Sequence, residues 1–220
     1  MTTLICFALK EEAAPFHKIA ARHPGVITLL TGIGRQNAEK SVRSFLAGSS
    51  PELVFTCGFA GGLNPDLELG DVVFEFAIRH SAFGIQPEPP DVGCHEKLAA
   101  AGAKPAKFFC ADRIATTIAE KKKLRAETGA DAVEMESAAI HAVCAEHGIP
   151  CATVRVISDP ADEDLPLDFN ALARPDKSLD FGRLTWAIAR SPGKIGALLR
   201  LQQQTKLAAE RLAEVLAKLL

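Results

Sequence analysis

The chain has 220 residues, 48% of them hydrophobic and 24% charged, enough for one domain with a large core; disorder is excluded for most of its length. Its 25 basic and 27 acidic side chains are interspersed and leave a formal net charge of −2, which argues against a nucleic-acid partner. Six cysteines without a C-x-x-C pair, several inside apolar runs, fit a reducing compartment rather than a disulfide framework.

Residues 3–9 are predicted as a buried strand and 11–22 as a helix. The opening apolar run meets Lys10-Glu11-Glu12 too soon to cross a bilayer and lacks a basic leader, so the cytoplasm is the expected location. A second strand at Val26–Leu30 ends in Thr31-Gly32-Ile33-Gly34, and Arg35–Leu46 returns to helical spacing. A third strand, 53–57, runs into Gly58-Phe59-Ala60-Gly61-Gly62, and 71–78 is again apolar enough to be buried. Gly84, Pro87, Pro89 and Pro90 break the stretch 80–92, which is expected to be a surface loop that covers a site. Further strands are predicted at 107–110, 132–135 and 153–157, with helices at 115–128 and 137–147.

Residues 160–175 are loop-like, and from Ser178 the chain is helical, split by Pro192-Gly193. Alternating apolar β runs and helical patterns predict a three-layer α/β fold: a mixed, mostly parallel central sheet flanked by helices, with a C-terminal helical tail. The α/β domain is expected over 1–175 and the tail, packed on the same domain, over 176–220. Lys194, Arg200, Lys206, Arg211 and Lys218 outnumber the acids of the tail's last part, where Leu212, Leu216 and Leu219 recur at helical spacing. Two uses stand open for it: packing on this domain or a second subunit, and a basic amphipathic contact with a membrane surface or a lipid-bearing substrate.

Four segments carry candidate chemistry. Gly32-Ile33-Gly34-Arg35 joins a strand to a helix, where backbone can approach a ligand and the helix start favours anions, though a third spaced glycine of the dinucleotide fingerprint is missing. Gly58, Gly61 and Gly62 mark a place where side chains would obstruct a ligand or a neighbouring backbone. Glu134-Met135-Glu136 sets two carboxylates at the end of a buried strand, where an acid needs a specific partner such as a pair of sugar hydroxyls; helix capping is the plainer alternative. Ser158-Asp159 ends a strand at the carboxyl edge where open α/β sheets bind ligands, and Asp159 before Pro160 also suits a turn. His141, Cys144 and His147 share a helical face but lack a closing ligand pair, so no metal is expected. Lys121-Lys122-Lys123 is expected to be a solvated run.

In this order and spacing the segments resemble the nucleoside phosphorylase/nucleosidase superfamily, most specifically through GFAGGLNPDLELGDVV and VEMESAAIHAVCAEHGIPCATVRVISDPAD. The likeness runs from Leu4 to Asp162 and is similar to the adenine-releasing nucleosidases that act on methylthioadenosine and S-adenosylhomocysteine. It implies that Asp159 is the general acid, that Met135 and Glu136 hold the ribose, and that Glu12, with Glu11 one register away, positions the attacking water. The chain departs from that pattern at Cys57 and Phe59, offers no aromatic near residues 111–114 to stack on a purine, and has no room for a hairpin after Arg22. The SDPADEDLP segment and the basic tail resemble hopanoid-associated phosphorylases, which remove adenine from adenosylhopane.

The resemblance therefore implies cleavage of the N-glycosidic bond of an adenine nucleoside, lipid-linked in one version and a soluble thionucleoside in the other. Asp159 and Glu12 are the expected catalytic residues; Met135, Glu136, Glu134, Ser158, Gly61, Gly62, Gly34 and Arg35 are expected to bind substrate. No cofactor is implied, but inorganic phosphate would be the co-substrate of a phosphorylase, held by Gly34, Gly61, Gly62 and Arg35. Glu12 would repel that phosphate, which favours water. A homo-oligomer is expected. The rivals of another class are a non-catalytic nucleoside-binding protein and a dinucleotide-dependent oxidoreductase.

Overall fold

The computed structural model describes residues 2–76, 80–81, 84–85, 92–174, 185 and 190–220. Most of the loop expected at 80–92, with its role over a site, and the first part of the helix expected from Ser178 lie outside them. Strand β1 (Thr3–Phe7) leads into α1 (Lys10–Ala20), β2 (Val26–Leu30), α2 (Arg35–Leu46), β3 (Leu53–Gly62) and β4 (Val72–Phe76). Two-residue strands β5 (His80–Ser81) and β6 (Gly84–Ile85) pair with each other. Then come α3 (Val92–Ala100), β7 (Lys104–Pro105), β8 (Phe108–Cys110), α4 (Ile118–Thr128), β9 (Ala132–Glu134), α5 (Ser137–Glu146), β10 (Cys151–Asp159), α6 (Phe169–Leu172) and α7 (Ile195–Ala217).

The main sheet runs β2-β1-β3-β10-β4-β7, parallel except where β4 meets β10. This is the mixed, mostly parallel sheet that the alternating pattern predicts. Strand β3 is longer than expected: it does not stop at Cys57 but continues through the glycines to Gly62. Its first half pairs with β1 at Leu53–Cys57, and Gly61-Gly62 on the same edge takes β9 in antiparallel register. Its other edge carries β10, whose register slips between Ile157 and Asp159, so that Ser158 is the extra residue of a bulge. A bulge bends a strand and re-aims the side chains after it.

Side-chain alternation along the strands builds two cores. Ile5 and Phe7 face one side of the sheet with Phe55, Val154 and Val156, under α1 and α7. Leu4, Cys6 and Val54 face the other, under Val42 of α2 and Ile140 and Val143 of α5. The helices are stopped by local chemistry, best seen in α4. Thr117 caps its start by accepting from the Glu120 N–H, Glu120 reaches back to the Thr117 N–H, and Gly129 closes it in the left-handed conformation at φ 64°. Pro150 and the left-handed Gly148 likewise separate α5 from β10.

The tail helix α7 is amphipathic in two different ways. Its second half buries Ala208, Ala209, Leu212, Ala213, Val215 and Leu216 against α1 and the sheet. Its first half keeps Ile195 and Leu199 exposed, as is Leu207 at the midpoint, with Lys194, Arg200 and Lys206 beside them. Among the described residues no helix is long and apolar enough to cross a membrane. The six cysteines are free, and all but Cys110 are buried as small apolar groups.

Leu212 has no exposed surface and sits in the core that α7 shares with Phe7, Phe55 and Phe74. Leu212→Ala is expected to lower unfolding free energy by about 2–5 kcal/mol, measured by urea denaturation.

Candidate active site

At the carboxyl ends of β3, β9 and β10 a cavity of about 260 Å³ opens. Glu12, Met135, Glu136, Ser158 and Asp159 line it together with Phe59 and Gly61, and Ile114, Leu165 and Phe169 supply apolar surface. Leu201 and Thr205, from the exposed half of α7, complete the wall. The site lies where the sheet geometry predicts, with its floor made by strand ends and its roof by the segments that follow them.

Beneath the cavity sits Arg155, 1% exposed in the middle of β10. Its Nη2 donates to Glu134 Oε2 (2.6 Å) and Thr56 Oγ1 (3.1 Å), lies 3.3 Å from Glu136 Oε2, and its Nη1 donates to the Cys57 carbonyl (3.3 Å). Burial opposes the Arg155 charge, but Glu134, Glu136 and Glu12 outweigh it and hold the guanidinium protonated. A buried cation of this kind persists only when carboxylates and dipoles surround it.

The carboxylates differ in what they have left to offer. Burial would raise the pKa of Glu134, yet Arg155 and the Ser137 hydroxyl and N–H reverse this and keep it ionised. With the Glu136 N–H also on Oε2, its oxygens are occupied, and it serves to hold Arg155 and the first turn of α5. Glu136 accepts the Gly34 N–H at Oε1 (2.9 Å) and a backbone N–H from Met135, with Arg155 Nη2 3.3 Å from Oε2; burial outweighs these and leaves its pKa raised. Glu12 accepts the Phe59 N–H at Oε1 and the Leu9 N–H at Oε2, both at 2.8 Å. Burial, partly offset by Arg155, pushes its pKa up to about 7. Glu11, one position earlier, is exposed, so helix phase selects Glu12.

Gly58 explains why this cluster needs a glycine. It sits at φ +149°, and a Cβ there would lie 2.6 Å from Glu12 Oε1 and 2.7 Å from Arg155 Nη1. A Cβ on Gly61 would come within 3.2 Å of Asp159 Oδ2. The glycines of β3 therefore clear space for buried charged groups as well as for the cavity.

Asp159 has its Oδ1 on the Ser158 hydroxyl (2.7 Å) and its Oδ2 on the ammonium of Lys121 (2.8 Å). Burial raises its pKa against the opposing pull of Lys121 and Ser158. This corrects the expectation of a solvated lysine run. Lys122 and Lys123 are exposed, whereas Lys121 points inward from α4 with no exposed surface.

The expected site residues separate into two groups. Asp159, Glu12, Met135, Glu136, Glu134, Ser158 and Gly61 border one cavity. Gly34, Gly62 and Arg35 do not: the Gly34 N–H is taken by Glu136, and Gly62 packs against the backbone of Ala161 and Asp159. Arg35 turns to the Cys110 carbonyl (2.5 Å) and Asp112 (3.2 Å), away from any phosphate cradle with Gly61. His141 bonds Thr153 Oγ1 (2.8 Å), and burial lowers its pKa to about 4.

Sequence reasoning missed Lys121, Arg155, Leu201 and Thr205. A single arginine amid Val154, Val156 and Ile157 was the available signal for a buried cation. No comparable signal marks the lysine; the amphipathic tail suggests a lipid-bearing substrate, but nothing in it points to Leu201 or Thr205.

Residues 11–190 match the sequence profile of the Phosphorylase superfamily. A 5′-methylthioadenosine/S-adenosylhomocysteine nucleosidase of Shewanella halifaxensis is 28% identical over 167 residues, 66% of this chain and 73% of that protein. The fold is similar to that of the nucleosidase of the same name from Neisseria meningitidis, solved with methylthio-immucillin-A: TM-score 0.71 at 21% identity, over 99% of this chain and 97% of the other. It is also similar to the futalosine hydrolase of Helicobacter pylori, with a TM-score of 0.69 at 20% identity over 100% and 97% of the two chains.

Arg155→Met would leave Glu134 and Glu136 buried without their cation. A loss of about 3–5 kcal/mol in stability is expected, read from the shift in denaturation midpoint.

Proposed function

The chain belongs to the phosphorylase superfamily, and we propose that it releases adenine from a nucleoside by cleaving the N-glycosidic bond, with water as the attacking group. The observation that carries this reading is the meeting of three unequal carboxyl groups in one cavity: Asp159 beside Lys121, Glu136 between the Gly34 N–H and Arg155, and Glu12 with its pKa raised to about 7. The relatives named for nucleosidase activity support it.

Each group then has a task. Breaking the bond from C1′ to N9 leaves the electron pair on adenine and positive charge shared between C1′ and the ring oxygen of the ribose. Asp159 in its protonated form donates to N7 of the leaving base; a raised pKa keeps that form available. Glu136 accepts the ribose hydroxyls, with Met135 packed against the sugar. Glu12 takes a proton from the water that attacks C1′, and Ser158 keeps Asp159 turned to the base. Ile114, Leu165 and Phe169 supply an apolar lining in place of a dedicated stacking aromatic at 111–114.

Phosphate fits this cavity poorly. Glu12, Glu134, Glu136 and Asp159 border it, Arg155 is committed to glutamates, Arg113 in the lining is paired with Glu120, and Arg35 is turned elsewhere. Water also needs no anion site.

For the 5′ substituent, the lipid of adenosylhopane is favoured over the thioethers of methylthioadenosine and S-adenosylhomocysteine by one observation. Leu201 and Thr205 line the cavity, and the same helix shows Ile195 and Leu199 to solvent beside Lys194 and Arg200, a surface that suits an apolar chain drawn from a membrane face.

A panel of adenosylhopane, methylthioadenosine and S-adenosylhomocysteine, each with and without phosphate, separates these versions. Adenine and free ribose are expected without phosphate, with adenosylhopane processed fastest. Ribose 1-phosphate as product would replace water by phosphate. Asp159→Asn should lower adenine release by about 10²–10⁴-fold in a chain that circular dichroism shows to be folded; a variant as active as the parent would remove Asp159 as the acid, and no adenine from any nucleoside of the panel would leave only a binding protein.

Glu12 must be ionised to accept a proton, and its carboxyl is protonated below about pH 7. The kcat/KM of the wild type is therefore expected to fall about tenfold per unit below that pH. Glu12→Gln should be slow throughout and lose this limb.

A further inference from the structure

Lys121 has no part in the cavity lining, yet its placement is more demanding than that of the residues that do. An ammonium has three N–H donors and no acceptor. Here three oxygens lie within 3 Å of Nζ: Asp159 Oδ2 at 2.8 Å, the Pro160 carbonyl at 2.6 Å and the Glu163 carbonyl at 2.8 Å. The Asp159 carbonyl stands further off, at 3.5 Å. Three close acceptors use all three protons of a charged lysine, and a neutral amine has only two to give. The side chain crosses from α4 to the end of β10 with no exposure to water.

We propose that Lys121 is the positioning residue for Asp159, fixing the carboxyl at the bulged end of β10 and governing how tightly it holds the proton destined for the base. The proposal rests on the assignment of Asp159 as the acid in the proposed reaction.

Two further contacts extend the same arrangement. Glu163, whose carbonyl Lys121 holds, accepts through its carboxylate from Gln204 of α7 at 3.1 and 3.3 Å. Gln204 lies one residue before the cavity-lining Thr205. The lysine thus ties the acid to the loop 160–163, and that loop to the tail helix.

The other charged and polar neighbours are few. Ser158 donates to Asp159 from its own strand, and Glu163 follows in the next loop. Glu12, Glu134, Glu136 and Arg113 border the same cavity from α1, β9 and the segments around them. Lys121 is the cation in direct contact, and it pulls the Asp159 pKa down against the burial that raises it. The ion pair offsets that, since an acid works best with a pKa near the operating pH.

The test is the pH profile of adenine release from the best nucleoside of the panel, for wild type, Lys121→Met, Lys121→Gln and Lys121→Arg, with melting temperatures to establish folding. In the neutral variants Asp159 keeps its proton to higher pH, so the basic limb of kcat is expected to move up by about one unit or more. Because the carboxyl is no longer held in place, the plateau value of kcat should fall at least about tenfold while KM changes less than about threefold. Lys121→Arg keeps the charge but not the tetrahedral donor set, so the limb should stay in place while kcat falls.

Folded neutral variants whose limb coincides with wild type would overturn the proposal, because a purely structural lysine scales the rate without moving the profile. If neither neutral variant folds, Lys121→Arg decides: an unchanged kcat or a displaced limb overturns it. Full activity in Asp159→Asn instead removes the acid assignment itself, a different failure.

Discussion

A guanidinium buried in the middle of a sheet is the constraint to which the rest of this structure answers. Arg155 cannot be hydrated, so the chain must bring it carboxylates, and it does so from two distant segments: Glu12 from the start of α1, and Glu134 and Glu136 from the end of β9. Those acids in turn recruit backbone donors from Leu9 and Gly34, in the turns that follow β1 and β2, and from Phe59 within β3. One cation therefore fixes where several loops lie. Burial and the cation together sort the carboxylates: Arg155 and the Ser137 contacts keep Glu134 ionised, while at Glu12 and Glu136 burial prevails over the pull of Arg155 and raises the pKa.

Beside this network stands a second, nearly separate pair, Asp159 with Lys121. The bulge at Ser158 makes the separation possible. Arg155 lies three residues before it in regular pairing with Gly58, whereas Asp159, after the register slip, pairs with Gly61. One strand thereby supplies a cation to one network and an acid to the other, and the two carboxyl environments diverge. Such divergence is what lets one cavity hold a group that gives a proton and another that takes one.

The sequence made the strands and helices legible because each has its own periodicity, and it made Glu134-Met135-Glu136 and Asp159 legible because acids at the ends of apolar strands need a reason. Other features were hidden for physical causes. Lys121 sits in a run of three lysines, and only the phase of α4 against β10 decides that the first of them points inward. The glycines of β3 suggest a turn, but they extend the strand, because β9 and β10 supply partners no local rule anticipates. Arg35 follows a glycine turn at a helix start, the usual place for an anion, and is drawn off by Asp112 and the Cys110 carbonyl. The cavity wall from Leu201 and Thr205 depends on a contact across more than forty residues of chain from β10.

Helix α7 closes the largest core and walls the cavity with the same 23 residues. During synthesis, the strands emerge from the ribosome long before this helix does, and the apolar faces of β1, β3 and β10 wait uncovered in the meantime. The nascent chain then gains its hydrophobic closure and its binding wall together. A chain in which α7 is damaged lacks both, so stability and the shape of the cavity would be lost at once.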